Sequence, residues 1–223
     1  MNSLGCLGFV SLFIFGLFAG LLGFATPVEV APPASVSIFD YDSIPQNRTD
    51  DGAFILGNPD AAVTVVAFED FLCPHCQNYQ PTIQEFIAEH VVTGEARFEF
   101  RMLPISTQSG FVFSLVECAE IESPGSFWYA HDTMFSLTTE QGASFNGSDF
   151  ASAMDIPYGE LLDCIDNDAT QYQTDQALAG EYSEITGTPS VAWRLNGGEL
   201  RLDVIPRQPT ADQLSALIEE YSQ

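Results

Sequence analysis

Two thiols three positions apart, in Cys73-Pro74-His75-Cys76, are the side chains of this chain best placed for chemistry. They follow an apolar run from Ala62 to Phe68 and open a segment that reads as a helix from about Pro74. A C-x-x-C at a strand-to-helix junction puts its first sulfur at a helix N-terminus. There, unpaired backbone N–H groups and the macrodipole stabilise negative charge. The second thiol lies one turn inside, close enough to attack a mixed disulfide formed by the first. That is the minimum apparatus for thiol–disulfide exchange. Taken alone, the same residues could be half of a zinc site, which requires four ligands.

The elements that must hold these thiols are legible on both sides. Ala62–Phe68 is nearly continuous in apolar character, as a strand buried on both faces requires. Ile83, Phe86, Ile87 and His90 recur at helical spacing, so the helix runs to about Val92, with a kink expected at Pro81. Thr93-Gly94-Glu95 ends it, and Ala96–Met102 alternates as a second strand. So short a strand–helix–strand unit implies a parallel pair with a right-handed crossover. Ser109 to Glu184 reads as helices over Phe111–Ile121, Phe127–Leu137, Ser148–Met154, Glu160–Asp166 and Thr170–Glu184. After Thr186-Gly187-Thr188-Pro189 come a strand over Ser190–Leu195, a hairpin turn at Asn196-Gly197-Gly198 and a return strand over Glu199–Ile205. The last helix opens at Thr210 and buries Leu214, Leu217, Ile218 and Tyr221.

The 223 residues suffice for one domain with a sizeable core and a tail. Leu4–Ala25 carries no charge and is long enough to span a bilayer, so residues 1–25 are expected to be a transmembrane anchor or a signal peptide. Either fate puts the rest outside the cytoplasm, in a periplasm or at the cell exterior. Residues 26–56, with four prolines among small and polar residues, read as a tether. The domain is then 57–223. A formal net charge of −25, with six Arg and no Lys, argues against nucleic acid or anionic lipid as a partner.

The order strand, C-x-x-C helix, strand, helical block, Thr-Pro, hairpin, helix resembles the thioredoxin fold. Between Cys76 and Pro189 stand 112 residues, a surplus that an inserted helical subdomain over about 106–184 accounts for. With Cys73-Pro74-His75-Cys76 and Gly187-Thr188-Pro189, the chain resembles the DsbA-like thiol–disulfide oxidoreductases over roughly Gly57–Ser222. The fold class expected is therefore α/β: a thioredoxin fold with a helical insertion, preceded by a transmembrane or signal helix.

The resemblance implies that Pro189 is a cis-proline beside the thiols, with the Thr188 backbone pairing to an extended substrate. It implies that Cys73 is the nucleophile and Cys76 the resolving thiol, and that Pro74-His75 tilts the pair towards oxidation. His75 can bring positive charge or a hydrogen bond to the Cys73 sulfur. Members of the family often carry an acid six residues before the first Cys, where this chain has Ala67. Glu69 is then a candidate proton relay for Cys76, with Asp70 beside it, or both face solvent.

Cys118 and Cys164 fall in two helices of the insertion and leave the domain with an even number of Cys, so a structural disulfide between them is expected. No cofactor beyond the redox-active disulfide and no metal is expected. Zinc would need more ligands than Cys118, Cys164 and His131 supply in any paired spacing. The function expected is donation of the Cys73–Cys76 disulfide to folding proteins. Partners would be reduced or unfolded secreted proteins and a membrane, quinone-linked reoxidant, acting on a monomer. The alternatives are an isomerase or reductase of the same fold, or a non-enzymatic copper-handling or client-binding module. Phe127-Trp128-Tyr129 reads as core, and Leu103-Pro104-Ile105 with Phe111–Phe113 as core or as an apolar client groove.

Overall fold

The structure is a computed structural model and describes residues 38–221. A five-stranded sheet runs β1 (Gln46–Arg48), β2 (Phe54–Gly57), β3 (Val63–Glu69), β4 (Ala96–Met102) and β5 (Ser190–Leu195) in chain order. Its spatial order is β1-β2-β4-β3-β5, with β3 and β4 parallel and every other pair antiparallel. The β3–β4 crossover passes through α1 (Pro74–Phe86) and a π-helical turn at Ile87–Val91. Pro81 lies inside α1 and cannot donate to the Gln77 carbonyl. The widened turn closes with Val92 N–H donating to the Ile87 carbonyl at 2.9 Å, and Gly94, at φ +83°, ends it.

Five helices separate β4 from β5: α2 (Thr107–Glu122), α3 (Phe127–Gln141), α4 (Gly147–Ala153), α5 (Tyr158–Asn167) and α6 (Gln171–Ala179). The last helix, α7 (Ala211–Tyr221), returns against α1. One face of the sheet (Val63, Val65, Ala67, Phe98, Phe100, Val191, Trp193) packs into the main core with Ile83 and Phe86 of α1 and Leu214 and Leu217 of α7. The other face carries a smaller cluster, Val66, Phe68 and Ala192, under Ala179 of α6. Having both faces covered is what makes β3 buried at all seven positions. The insertion is tied internally by a Cys118–Cys164 disulfide between α2 and α5.

Three elements depart from the sequence reading. Within the expected tether, residues 41–56 are part of the domain: β1 and β2 extend the sheet, and Phe54 stacks on Phe127 of α3 at 3.4 Å between centroids. Tyr41 is fully buried and donates its hydroxyl to Asp132 Oδ2 at 2.7 Å. The expected return strand over Glu199–Ile205 is reduced to a single bridge, Trp193 to Arg201, because Val204 turns the chain away at φ +80°. The helix expected from Thr170 to Glu184 ends at Ala179, before Gly180. The expected anchor or signal segment, residues 1–25, lies outside the described residues. Among the described residues no helix is long and apolar enough to cross a membrane.

Candidate active site

Cys73 is the N-cap of α1, in extended backbone geometry, and Pro74 takes the first helical position, where a missing N–H costs nothing. Cys73 thus stands at the positive end of the helix dipole, which favours negative charge on its sulfur. Cys73 Sγ, a free thiol, lies 3.5 Å from the carbonyl oxygen of Thr188, to which it donates. The Thr188–Pro189 bond is cis. Two motifs 115 residues apart in sequence thus share one hydrogen bond. Pro74 and His75 are exposed on the first turn, and among the described residues no hydrogen bond joins His75 to the Cys73 sulfur.

Cys76 is fully buried and free, and its sulfur accepts a 3.4 Å hydrogen bond from the Asp70 backbone N–H. Burial, reinforced by the charge of Glu69, pushes its thiol well above the ordinary range. Glu69 ends β3 on the sheet face that α1 covers and is itself fully buried. Gln80 Nε2 donates to its Oε2 at 2.8 Å, while its Oε1 is buried with no donor among the described residues. Burial raises its pKa to about 8, against the opposing hydrogen bond from Gln80. An ionised carboxylate would leave one oxygen unsatisfied in the core, so the protonated acid is the form this pocket favours near neutral pH.

Asp70 is also fully buried, and its role is to join loops. Its Oδ1 accepts from Leu72 N–H and its Oδ2 from Ile105 N–H, each at 2.8 Å, which pins the turn before α1 to the loop after β4. Burial raises its pKa, opposed by Ser109 and these two N–H groups. The solvent-facing alternative for Glu69 and Asp70 is overturned for both, since strand β3 continues one residue beyond the apolar run and carries Glu69 inward. Ile105, 54% exposed, stands beside this junction, whereas Phe113 is core and Phe111 only partly exposed.

The sequence reading did not single out Gln80 or Tyr79. Gln80 sits four residues after Cys76, hence on the same buried face of α1, and that spacing was the available signal. Tyr79 donates its hydroxyl to the Pro209 carbonyl at 2.7 Å and so holds the loop behind the cis-proline. That loop also accepts Val191 N–H at the Arg207 carbonyl, while Arg207 donates to Thr186 Oγ1 at 3.2 Å.

The sequence profile of the family described as Thioredoxin matches residues 49–220. The thiol:disulfide interchange protein DsbA of Burkholderia cepacia is 25% identical over 186 residues, covering 79% of this chain and 78% of that protein. The Na(+)/H(+) antiporter NhaA 3 of Salinispora tropica is 26% identical over 146 residues, 61% of this chain; the chain spans only 21% of that antiporter's length. Among solved structures, oxidised BdbD from Bacillus subtilis superposes with a TM-score of 0.62 at 24% identity, over 75% of this chain and 91% of that one. The profile begins in the loop between β1 and β2 and ends in α7, so it takes in both the C-x-x-C helix and the cis-proline strand. The chain belongs to the thioredoxin family, and over most of its length it is similar to a DsbA thiol:disulfide interchange protein.

Proposed function

We propose that this domain oxidises thiols of folding proteins outside the cytoplasm, with Cys73 as the attacked sulfur and Cys76 as the resolving one. The observation that carries the reading is the Cys73–Thr188 contact at the start of α1. In the disulfide form, a client thiolate attacks Cys73 Sγ, the Cys73–Cys76 bond breaks, and Cys76 leaves with the electron pair. A second client thiolate then attacks the client sulfur of the mixed disulfide, releasing Cys73 as a thiolate at the helix N-terminus. The client gains one disulfide and the enzyme holds two thiols, which a membrane redox partner must reoxidise.

Cys76, buried and with its pKa raised, leaves as a poor thiolate and needs a proton at once. Glu69, protonated near neutral pH in the same pocket, is the group that supplies it and recovers it on reoxidation. Thr188 and Pro189 present the backbone edge on which an extended client strand would pair. The Burkholderia relative's name, a thiol:disulfide interchange protein, supports this class of reaction.

The test uses single variants with a reduced unfolded client. With oxidised glutathione supplied as the electron acceptor, Cys73→Ser abolishes catalysed exchange, whereas Cys76→Ser forms a Cys73–glutathione disulfide from which a client thiolate displaces glutathione, leaving a mixed disulfide that a thiol reductant releases. Normal turnover by Cys73→Ser would sink the mechanism. The reduction potential of the pair decides the direction: a value near about −120 mV marks an oxidase and one near about −270 mV a reductase.

A further inference from the structure

Four of the chain's six arginines, Arg48, Arg97, Arg101 and Arg194, stand around one cavity of about 440 Å³ on the α6 side of the sheet. The redox site does not use this cavity. In a chain of net charge −25 that is an uneven placement of the scarce positive charge. Three carboxylates, Asp50, Asp51 and Glu99, also line the cavity, so its lining is net positive by one charge. Arg101 consumes most of the negative charge, bonding Asp51 and Glu99 at 2.6 Å and Asp175, behind it, at 2.9 Å. Arg194 shares Glu99 at 3.1 Å and donates to the Gly198 carbonyl. Arg48 lies over the Phe54 ring and donates to the Gly52 carbonyl.

Two buried side-chain donors at this cavity have no partner among the described residues, and they are neighbours. Thr64 of β3 pairs in register with Arg97 of β4 on one side and Arg194 of β5 on the other. Thr64 is 1% exposed, and its hydroxyl has no partner among the described residues. Arg97 forms no ion pair among the described residues, and its Nε is likewise buried without an acceptor. The Arg97 side chain reaches towards the hairpin turn: a Cβ built on Gly197 would lie 4.0 Å from its Nη2. A fork of guanidinium N–H donors beside a buried hydroxyl is matched by acceptor oxygens in a plane, and a buried guanidinium N–H left unpaired is costly.

We propose that this cavity is a binding site for a small oxyanion, a carboxylate or phosphate group, held by Arg97 and Thr64 between the flanking arginines. Its volume admits a small organic acid as readily as inorganic phosphate. The bound oxyanion would link β3, β4 and the β5 hairpin turn on the face of the sheet opposite α1.

The experiment titrates the full chain, labelled with ¹⁵N, with sodium succinate and separately with sodium phosphate, sodium chloride keeping the ionic strength constant. At least one probe is expected to shift the Arg97 Nε–H and the Thr64 and Arg194 amide signals saturably. Saturation by succinate identifies an organic carboxylate ligand, and by phosphate alone a phosphate. Arg97→Gln weakens that binding by about tenfold or more, the loss expected of one hydrogen bond to a charged group. Thr64→Val, which keeps the shape of the buried side chain, weakens it in the same direction and serves if the arginine variant misfolds. Failure of both probes to saturate, equal shifts with chloride, or undiminished binding in both variants would overturn the site.

Discussion

Glu69 is the residue whose chemistry depends most on its surroundings. With one oxygen held by Gln80 and the other without a donor among the described residues, it keeps its proton up to about pH 8, whereas an exposed glutamate releases it near 4.5. Below the lower value both the folded and the unfolded chain carry the proton. Between 4.5 and about 8 only the folded chain does, so stability falls as pH rises through that window and is flat above it. Glu69→Gln should remove this slope, since an amide is neutral throughout and its carbonyl can still accept from Gln80. Urea unfolding of the reduced protein across the window is expected to show the variant gaining a few kcal/mol on the native chain by the alkaline end. Parallel pH profiles would place the proton elsewhere. This position was half-legible in the sequence. Its nearness to Cys73 could be read, but its burial follows from β3 running one residue past the last apolar side chain, which only the pairing of Glu69 with Met102 reveals.

Among elements, the helical insertion depends most on covalent help, because α4, α5 and α6 are each ten residues or fewer and marginal alone. The Cys118–Cys164 bond closes a loop of sequence separation 46. Removing the bond as Cys118→Ala/Cys164→Ala is expected to destabilise the domain by about 4 kcal/mol on loop entropy. Equilibrium unfolding of the two proteins, with Cys73 and Cys76 reduced in each, measures the difference, and an unchanged midpoint would refute it. The strands around the thiols were legible because β3, β4 and β5 are runs of apolar or alternating residues with clear punctuation. β1 and β2 were not. Gln46-Asn47-Arg48 has no buried face to give it a period, and Phe54-Ile55-Leu56 is too short to outweigh the prolines upstream. What makes them strands is tertiary: the Phe54–Phe127 stack and the open edge of β4. The return strand failed for the reverse reason. Its turn, Asn196-Gly197 with both residues at positive φ, forms as read, but Val204 leaves the register five residues after its start. The start of β5, at Val191, then donates to the Arg207 carbonyl of a loop rather than to a return strand.

At the scale of the whole molecule, 31 acidic side chains face six arginines, and the arginines are not spread evenly. Four are drawn to the cavity behind the sheet, and Arg201 is paired with Asp203. Of the remaining cationic side chains only Arg207, bonded to Thr186, stands next to the cis-proline loop. With a net charge of −25, the chain presents a client with a negative field, which Arg207 offsets at the loop and His75 offsets beside Cys73 when protonated. That field raises the encounter rate of cationic segments and lowers that of anionic ones, by factors of ten or more where charge is unscreened. It is also lost with salt, since the screening length falls from about 10 Å at 0.1 M to about 3 Å at 1 M. Exchange rates with two reduced peptides, matched in length and differing only in lysine against glutamate flanks, should differ by about tenfold or more at low ionic strength, the lysine peptide being faster. The ratio should approach one as sodium chloride is raised. Arg207→Gln should widen the low-salt ratio, because it removes the guanidinium that welcomes an acidic segment at the loop. A ratio that is near one at low salt, or that survives high salt, would mean that clients are chosen by contacts at Thr188 and Ile105 and not by the field of the protein.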